Sequence, residues 1–356
     1  MVNYFTALNK MIKKSITFAT MQHTATLFMT RKIVICIISA ILSIPFVTIK
    51  GQTGDIAFNF LRLPYSSHVA ALGGTNISII DDDVTLAAHN PALLINASHN
   101  TVNFGYMTYM SDSKVAGAAY NRVFGARSAG AIVARYVDYG EFEGYDENNI
   151  FTGTFKAKDM EISAVYSYLL SDRWSGGVAA KFIYSKYESM SSIALGVDLG
   201  LNYFDEEKDL SASLVFKNLG AQVKAFEEET EKMPFDIQLG VTKRIANAPI
   251  RLSVTMNNLH KWSDDDFYNA DGSKDSFSKK LLKHFTFGAD VLISQNIYAS
   301  IGYNYRITKE LSTSDSKWDG LSIGAGANIK RFKFGISYSK LHVSSNSLLF
   351  NASYTL

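Results

Sequence analysis

This chain is poor in the residues on which disulfide scaffolds, thiol enzymes and charged-ligand binders depend. Its 356 residues hold one cysteine and five prolines, and the formal net charge is +2. A balance so close to zero carries no bias toward nucleic acid or an acidic substrate, and no nucleic-acid partner is expected. Long apolar runs are also missing. The stretch from Ile33 to Val47 is shorter than the ~20 residues a spanning helix needs, and Arg31 and Lys32 stand before it, so it reads as a secretory signal peptide. Residues 1–51 are thus read as an upstream extension plus signal, with the mature chain beginning near Gln52. Cys36 lies near the start of that run, which argues against a lipoprotein. The mature chain is then expected to lack cysteine, and with it disulfides and a thiol nucleophile.

Signatures of chemistry are equally sparse. No G-x-S-x-G or phosphate-cradling glycine loop occurs, and His68, His89, His99, His260, His284 and His342 show neither zinc spacing nor an H-E-x-x-H pair. Asp81–Asp83 is read as a turn that caps a short helix over Val84–Ala88 rather than as a cation site. Asp264–Asp266, with Asn269, Asp271 and Gly272, resembles a calcium loop in composition, yet Phe267 and Tyr268 break the required spacing. Glu227–Glu229 reads as a charged outer loop. The triplets beginning at Asn76, Asn96 and Asn351 match a glycosylation acceptor, but the last lies within an expected membrane strand. No catalytic, cofactor-binding or metal-binding residue is assigned, no cofactor is expected, and the protein is read as a non-enzyme.

What the chain does have is alternation. Tyr (19), Phe (23) and Gly (24) are abundant, as in all-β proteins with tight turns. At the C-terminus, Leu321–Ile329, Phe332–Tyr338 and Leu348–Leu356 place apolar residues at every second position against small or polar ones. The same pattern runs upstream through Thr101–Met110, Val115–Asn121, Ala129–Tyr139, Met160–Leu170, Trp174–Tyr184, Ile193–Tyr203, Leu210–Phe216, Phe235–Val241, Ile250–Met256, Phe285–Val291 and Ile297–Ile307. That makes roughly fourteen strands, an even number as single-chain bacterial barrels have. Connections after even strands are all brief. Longer ones, Gly140–Ala157, Leu219–Met233, Leu259–Leu282 and Thr308–Ser316, follow odd strands only, as expected of short periplasmic turns and longer outer loops.

The fold expected is therefore an all-β, transmembrane antiparallel barrel over residues 101–356 in the outer membrane of a Gram-negative bacterium, with outer-membrane lipid and lipopolysaccharide around it. Its last strand should pair with Thr101–Met110. Residues 52–100 lack alternation apart from a β-like Asn76–Ile80, and are expected to form a hatch-like segment in or beneath the barrel. Tyrosines near strand ends, among them Tyr106, Tyr136, Tyr139, Tyr166 and Tyr187, suit an interfacial girdle. Glu161, Lys181, Asp198, Lys217, Asp236, Arg251, Asp290 and Arg306 fall on the inward face and imply a polar lumen, either a channel lining or a salt-bridged filling.

The ordered set Phe58–Pro64, Ala71–Ser78, Asp81–Val84 and Asn90–Leu94 resembles the start of the PorQ family, outer-membrane barrels of the type IX secretion system in Bacteroidota. The alanine-glycine stretch and Asn90-Pro91-Ala92 are also similar to the wider group of PorV and FadL-type fourteen-stranded barrels. The resemblance implies a component of the cell-surface attachment complex that anchors a PorZ-like surface protein beside PorU and PorV. The loops Gly140–Ala157, Leu219–Met233 and Leu259–Leu282 would do the docking. A FadL-like transporter of hydrophobic small molecules, with 52–100 as its hatch, is the alternative. A closed membrane barrel is expected to fractionate with outer membranes and to migrate differently on a gel before and after heating; identical migration would exclude it.

Overall fold

The computed structural model describes residues 56–110, 113–226, 230–263, 275–311, 319–342 and 345–356. The expected signal segment and the acidic stretches Asp264–Asp266 and Glu227–Glu229 lie outside the described residues. Fourteen strands close into one antiparallel barrel. They are β1 (Thr101–Thr108), β2 (Lys114–Phe124), β3 (Ser128–Tyr145), β4 (Phe151–Leu169), β5 (Trp174–Tyr187), β6 (Met190–Asp205) and β7 (Leu210–Lys224), followed by β8 (Asp236–Arg244), β9 (Ile250–Met256), β10 (Phe285–Ser294), β11 (Ile297–Asn304), β12 (Leu321–Ile329), β13 (Phe332–His342) and β14 (Ser345–Thr355). Each strand pairs with its sequence neighbours, and β14 returns to β1 from Thr101↔Thr355 to Met107↔Leu349. Closure removes the open edge that a chain-terminal strand would otherwise present.

The pleat turns the alternating sequence into two opposite surfaces. Phe104, Ile132, Ile162, Leu195, Ile323 and Phe350 point outward and are exposed, while Asn103, Arg135, Glu161, Asp198 and Asn351 are buried inside. A continuous apolar belt of this kind far exceeds the few hundred Å² that a soluble monomer exposes, and hydrocarbon is the solvent that suits it. Connections after even strands span two to five residues, whereas those after β9 and β11 cover Asn257–His284 and Tyr305–Gly320. Short turns mark the periplasmic end, so β1 starts and β14 finishes there, and the long connections face outward.

Four local readings need correction. Gly140–Ala157 is mostly not a loop: β3 and β4 stay paired up to Tyr145↔Phe151, past a bulge between Asp138 and Glu141. Gly140, Gly144, Gly153 and the polar run Asp146–Asn149 carry turn signals that mask the short alternation of this extension. β11 stops at Asn304, and Tyr305–Leu311 is a helix. The Asn304 side chain accepts from the Ile307 amide, and Arg306 pairs with Glu310 one turn on, so Arg306 is not a lumen charge. Asn76–Ile80 forms no strand, because Asn76 Oδ1 accepts from the amides of Ser78 and Ile79 in a tight turn. Tyr139 and Tyr187 turn inward, where both hydroxyls donate to Asp159, rather than joining the outward girdle.

Residues 56–100 fill the lumen from end to end. The segment is pinned at the outer mouth, where the Ala57 amide donates to the Lys232 carbonyl in the connection between β7 and β8 (3.0 Å). It descends through short helical turns at Asn59–Arg62, Ser67–Ala71, Val84–Ala88 and Pro91–Asn96 and enters β1 at the periplasmic end. Asp83 caps Val84–Ala88 as expected, accepting from the Thr85 amide. Pro91 starts the next turn rather than merely ending the previous one, and Asn90 caps it through the Ala92 amide. The wall admits this backbone because some inward positions are glycine. A Cβ at Gly177 would overlap the backbone of Pro91 and Ala92, and one at Gly302 would overlap Leu72 and Gly73. Gly177→Ala is therefore expected to destabilise the folded barrel by about 1–3 kcal/mol, read as a lower temperature for loss of the fast-migrating form. Gly176→Ala, whose Cβ meets only the Leu170 side chain at 3.3 Å, should leave that temperature nearly unchanged.

Candidate functional site

The plug and the wall around it form the one elaborated polar site among the described residues. The plug is built of short helical turns joined by irregular backbone, so a number of its backbone polar groups are satisfied from outside the segment. In a dry lumen each would cost on the order of 1–3 kcal/mol if left unpaired. Side chains of the wall take that role. Arg135 on β3 donates to the carbonyls of Phe60 and Leu63 (2.9 and 3.0 Å). Ser167 on β4 and Ser175 on β5 donate to Ala92 O (3.1 and 3.0 Å). Ser322 on β12 donates to Ala71 O and accepts from the Gly73 amide, Asn351 on β14 accepts from the Ser67 amide, and Lys217 on β7 donates to Ala88 O. The plug's own His89 contributes as well. Its Nε2 accepts from the amides of Tyr65 and Ser66 (3.2 and 3.3 Å).

Two charge clusters flank these contacts. Toward the periplasm, Asp290 on β10 accepts from Arg251 Nε on β9 (2.8 Å), from Ser300 (2.6 Å) and from His68 Nε2 (3.0 Å), while His68 Nδ1 faces Asp81 at 3.5 Å. The His68 ring stacks on Tyr298 with centroids 3.9 Å apart. The two ring nitrogens of His68 thus face one carboxylate each, Asp290 and Asp81. Lys333 pairs with Asp82 beside them. On the opposite wall Lys181 of β5 bridges Asp198 (2.7 Å) and Glu161 (3.6 Å), and Glu161 also faces Arg135 (3.7 Å). Asp236 accepts from Gln238 and from the Asn258 amide.

Among the described residues most of the inward charges thus form a salt-bridged filling around the plug, while Lys217 and Asp236 are held by hydrogen bonds. Seven of the eight expected lumen charges sit in the wall, Arg306 being the exception. Arg135 and Asn351 escaped the sequence reading; Arg135 was detectable as a lone cation at the inward register of Ala129, Ala131 and Val133, whereas Asn351 carries no such signal. Among the described histidines, His68 and His89 lie in the middle of the site, and His99 at the end of the plug accepts from the Val123 amide of β2 (3.1 Å). Among the described residues no group of three or more His, Cys, Asp or Glu side chains is arranged to hold a metal ion. Two small clefts border the plug; one touches Tyr65, Gly105, Gly117 and Arg135, the other His68, Asp81, Tyr298 and Lys333.

With this geometry in hand, comparison with known proteins bears on the fold. No protein-family model matches the sequence, and no curated protein matches it. Solved structures do match: a CymD monoaromatic hydrocarbon channel (TM-score 0.52, 13% identity, covering 84% of this chain and 98% of that one) and the Ralstonia pickettii toluene transporter TbuX (TM-score 0.51, 12% identity, 83% and 98%). A Pseudomonas aeruginosa FadL homologue aligns at TM-score 0.47 and 10% identity over 82% of this chain and 98% of that one. The chain is a fourteen-stranded barrel of the Gram-negative outer membrane. Its charges hold the plug in place more than they hold it by energy, since desolvation of a buried pair offsets most of its Coulomb gain. Stranding one partner is another matter. Asp290→Asn removes the charge shared by Arg251 and His68 and is expected to cost about 3–5 kcal/mol, read as a lower urea midpoint for loss of the fast-migrating form; a shift under about 1 kcal/mol would show the cluster to be peripheral.

Proposed function

We propose that this protein is a non-enzymatic anchor in the outer membrane, a component of the type IX secretion system that holds a PorZ-like surface protein in the cell-surface attachment complex, beside PorU and PorV. The observation that carries this reading is the plug itself, hydrogen-bonded to the wall along its length. A conduit needs a path; an anchor needs a rigid body with a built outer face. The resemblance in Phe58–Pro64 and Asn90–Leu94 supports the reading and has a physical content of its own. Phe58, Phe60, Leu61 and Leu63 pack in one buried cluster with Met107, Val115 and Val137 of the wall, and Asn90, Pro91 and Ala92 dock on Gly177 and Gly200. These motifs therefore encode plug docking, and the partner would be met by the outer connections.

A second reading is favoured by the likeness in fold to hydrocarbon channels: a FadL-like transporter of hydrophobic small molecules. It requires the plug to shift, against buried apolar contacts with the wall worth about 1.5–3 kcal/mol per large side chain, of which Phe58, Phe60, Leu61 and Leu63 against Met107, Val115 and Val137 are examples. Detergent extraction and affinity purification of the tagged chain separate the two. Co-purification of a PorZ-like protein is the expected outcome. A barrel recovered alone with bound lipid or hydrocarbon, together with toluene uptake into liposomes, would overturn anchoring in favour of transport.

A further inference from the structure

Beyond the barrel rim, among the described residues, β3 and β4 continue paired only with each other. β2 ceases to pair with β3 at Lys114↔Asp138 and β5 ceases to pair with β4 at Ala157↔Tyr187, yet β3 and β4 remain paired from Glu141↔Lys156 to Tyr145↔Phe151. The result is a two-stranded ribbon at the outer end of the molecule. Its tip is fixed: Asp146 Oδ1 accepts from the amides of Asn148 and Ile150 (2.9 and 2.8 Å), and Asn149 takes a left-handed φ of 62°. Along the ribbon Phe142 stacks on Phe155 (5.5 Å) and Tyr145 meets Phe151 edge-on (5.9 Å), while Phe142, Tyr145, Ile150 and Phe151 stay exposed. A lone hairpin is marginal in water. An unpaired edge beside exposed aromatic rings is a template for one more strand.

We propose that the β3 edge of this ribbon, Glu141–Tyr145, takes up a basic extended strand from a protein outside the cell. The inference deepens the anchoring reading, and rests on it for the existence of such a partner. Charge selects the occupant. Asp138, Glu141, Glu143, Asp146 and Glu147 stand on β3 and the turn, against Lys156 and Lys158 on β4; Glu141 pairs with Lys156 (3.2 Å) and Glu143 accepts from the Tyr145 hydroxyl, and the ribbon stays net negative with both carboxylates at its exposed edge. A second copy of this edge would set glutamate against glutamate, which destabilises a strand pair. The phosphates of lipopolysaccharide would be repelled by the same carboxylates. A strand with Lys or Arg at alternate positions answers Glu141 and Glu143 on one face, and apolar residues between them cover Phe142 on the other.

The test titrates the full chain in detergent, at low salt, with two short fluorescent peptides, one alternating Lys and Val and the other Glu and Val. The lysine peptide is expected to bind at least roughly tenfold tighter, since like charges across an interface are strongly disfavoured. E141K together with E143K should reverse the preference, and binding should protect the amides of 141–145 from hydrogen exchange. Equal binding of the two peptides would overturn the proposal, as would unchanged binding to a chain in which 141–155 is replaced by a short glycine-asparagine link. Charge-dependent binding without added protection would do so too, because it would mean electrostatic adhesion in place of strand pairing. Heat-modifiable migration of each variant shows that its barrel is intact. The peptides need no secretion partner, so failure here leaves recovery of a PorZ-like protein standing, and failed recovery leaves the peptide result standing.

Discussion

The rest of this structure depends on one requirement: an irregular backbone buried inside a barrel must have its N–H and C=O groups satisfied by something other than water. A helix or a strand would satisfy them internally. The plug does neither over most of its length, so the obligation passes to inward side chains of the wall and to the plug's own Asn76, Asp83, His89 and Asn90. This is why Arg135, Ser167, Ser322 and Asn351 sit where a channel would present water-facing groups. It also explains why the lumen is polar without being open.

Energy and specificity are divided between two kinds of contact. Large side chains such as Leu72, Ile79, Leu86 and Leu93 form an apolar centre within the plug, and a second set, Phe58, Phe60, Leu61 and Leu63, packs against the wall near the outer mouth. These contacts supply most of the net stabilisation. The ion pairs around Asp290 and Lys181 contribute little beyond their own desolvation, but they admit one register of plug against barrel, because any other strands a charge.

Much of the barrel was legible in the sequence because a period of two is a local signal. Leu348, Phe350 and Ala352 announce their face without reference to the rest of the chain, and the parity of connection lengths follows from topology alone. Contacts between distant parts of the chain are another matter. Ser67 and Asn351 meet across 284 positions, and nothing near either residue foretells it. The ribbon was hidden because Gly140, Gly144, Gly153 and the run Asp146–Asn149 carry turn signals that mask its short alternation. Tyr139 was misplaced because one step along a strand separates the lipid face from the lumen, and a tyrosine suits both. The helix at Tyr305–Leu311 was read as strand because Tyr303, Tyr305 and Ile307 carry the alternation past Asn304, where local capping ends it. The charged lumen residues were visible one by one, but their pairing was not.

The path of the plug also constrains how the molecule is made. Its first described residues touch the outer mouth at Lys232 and its last lead into β1 at the inner one, so the segment threads the full length of a tube whose walls it could not enter after closure without passing lengthwise through a packed interior. Assembly therefore has an order. The nascent sheet must wrap the segment while β1 and β14 are still apart, and the β1–β14 seam is sealed last. A chain that joined those two strands early would be a closed cylinder with its filling left outside, a kinetic trap with every strand in register.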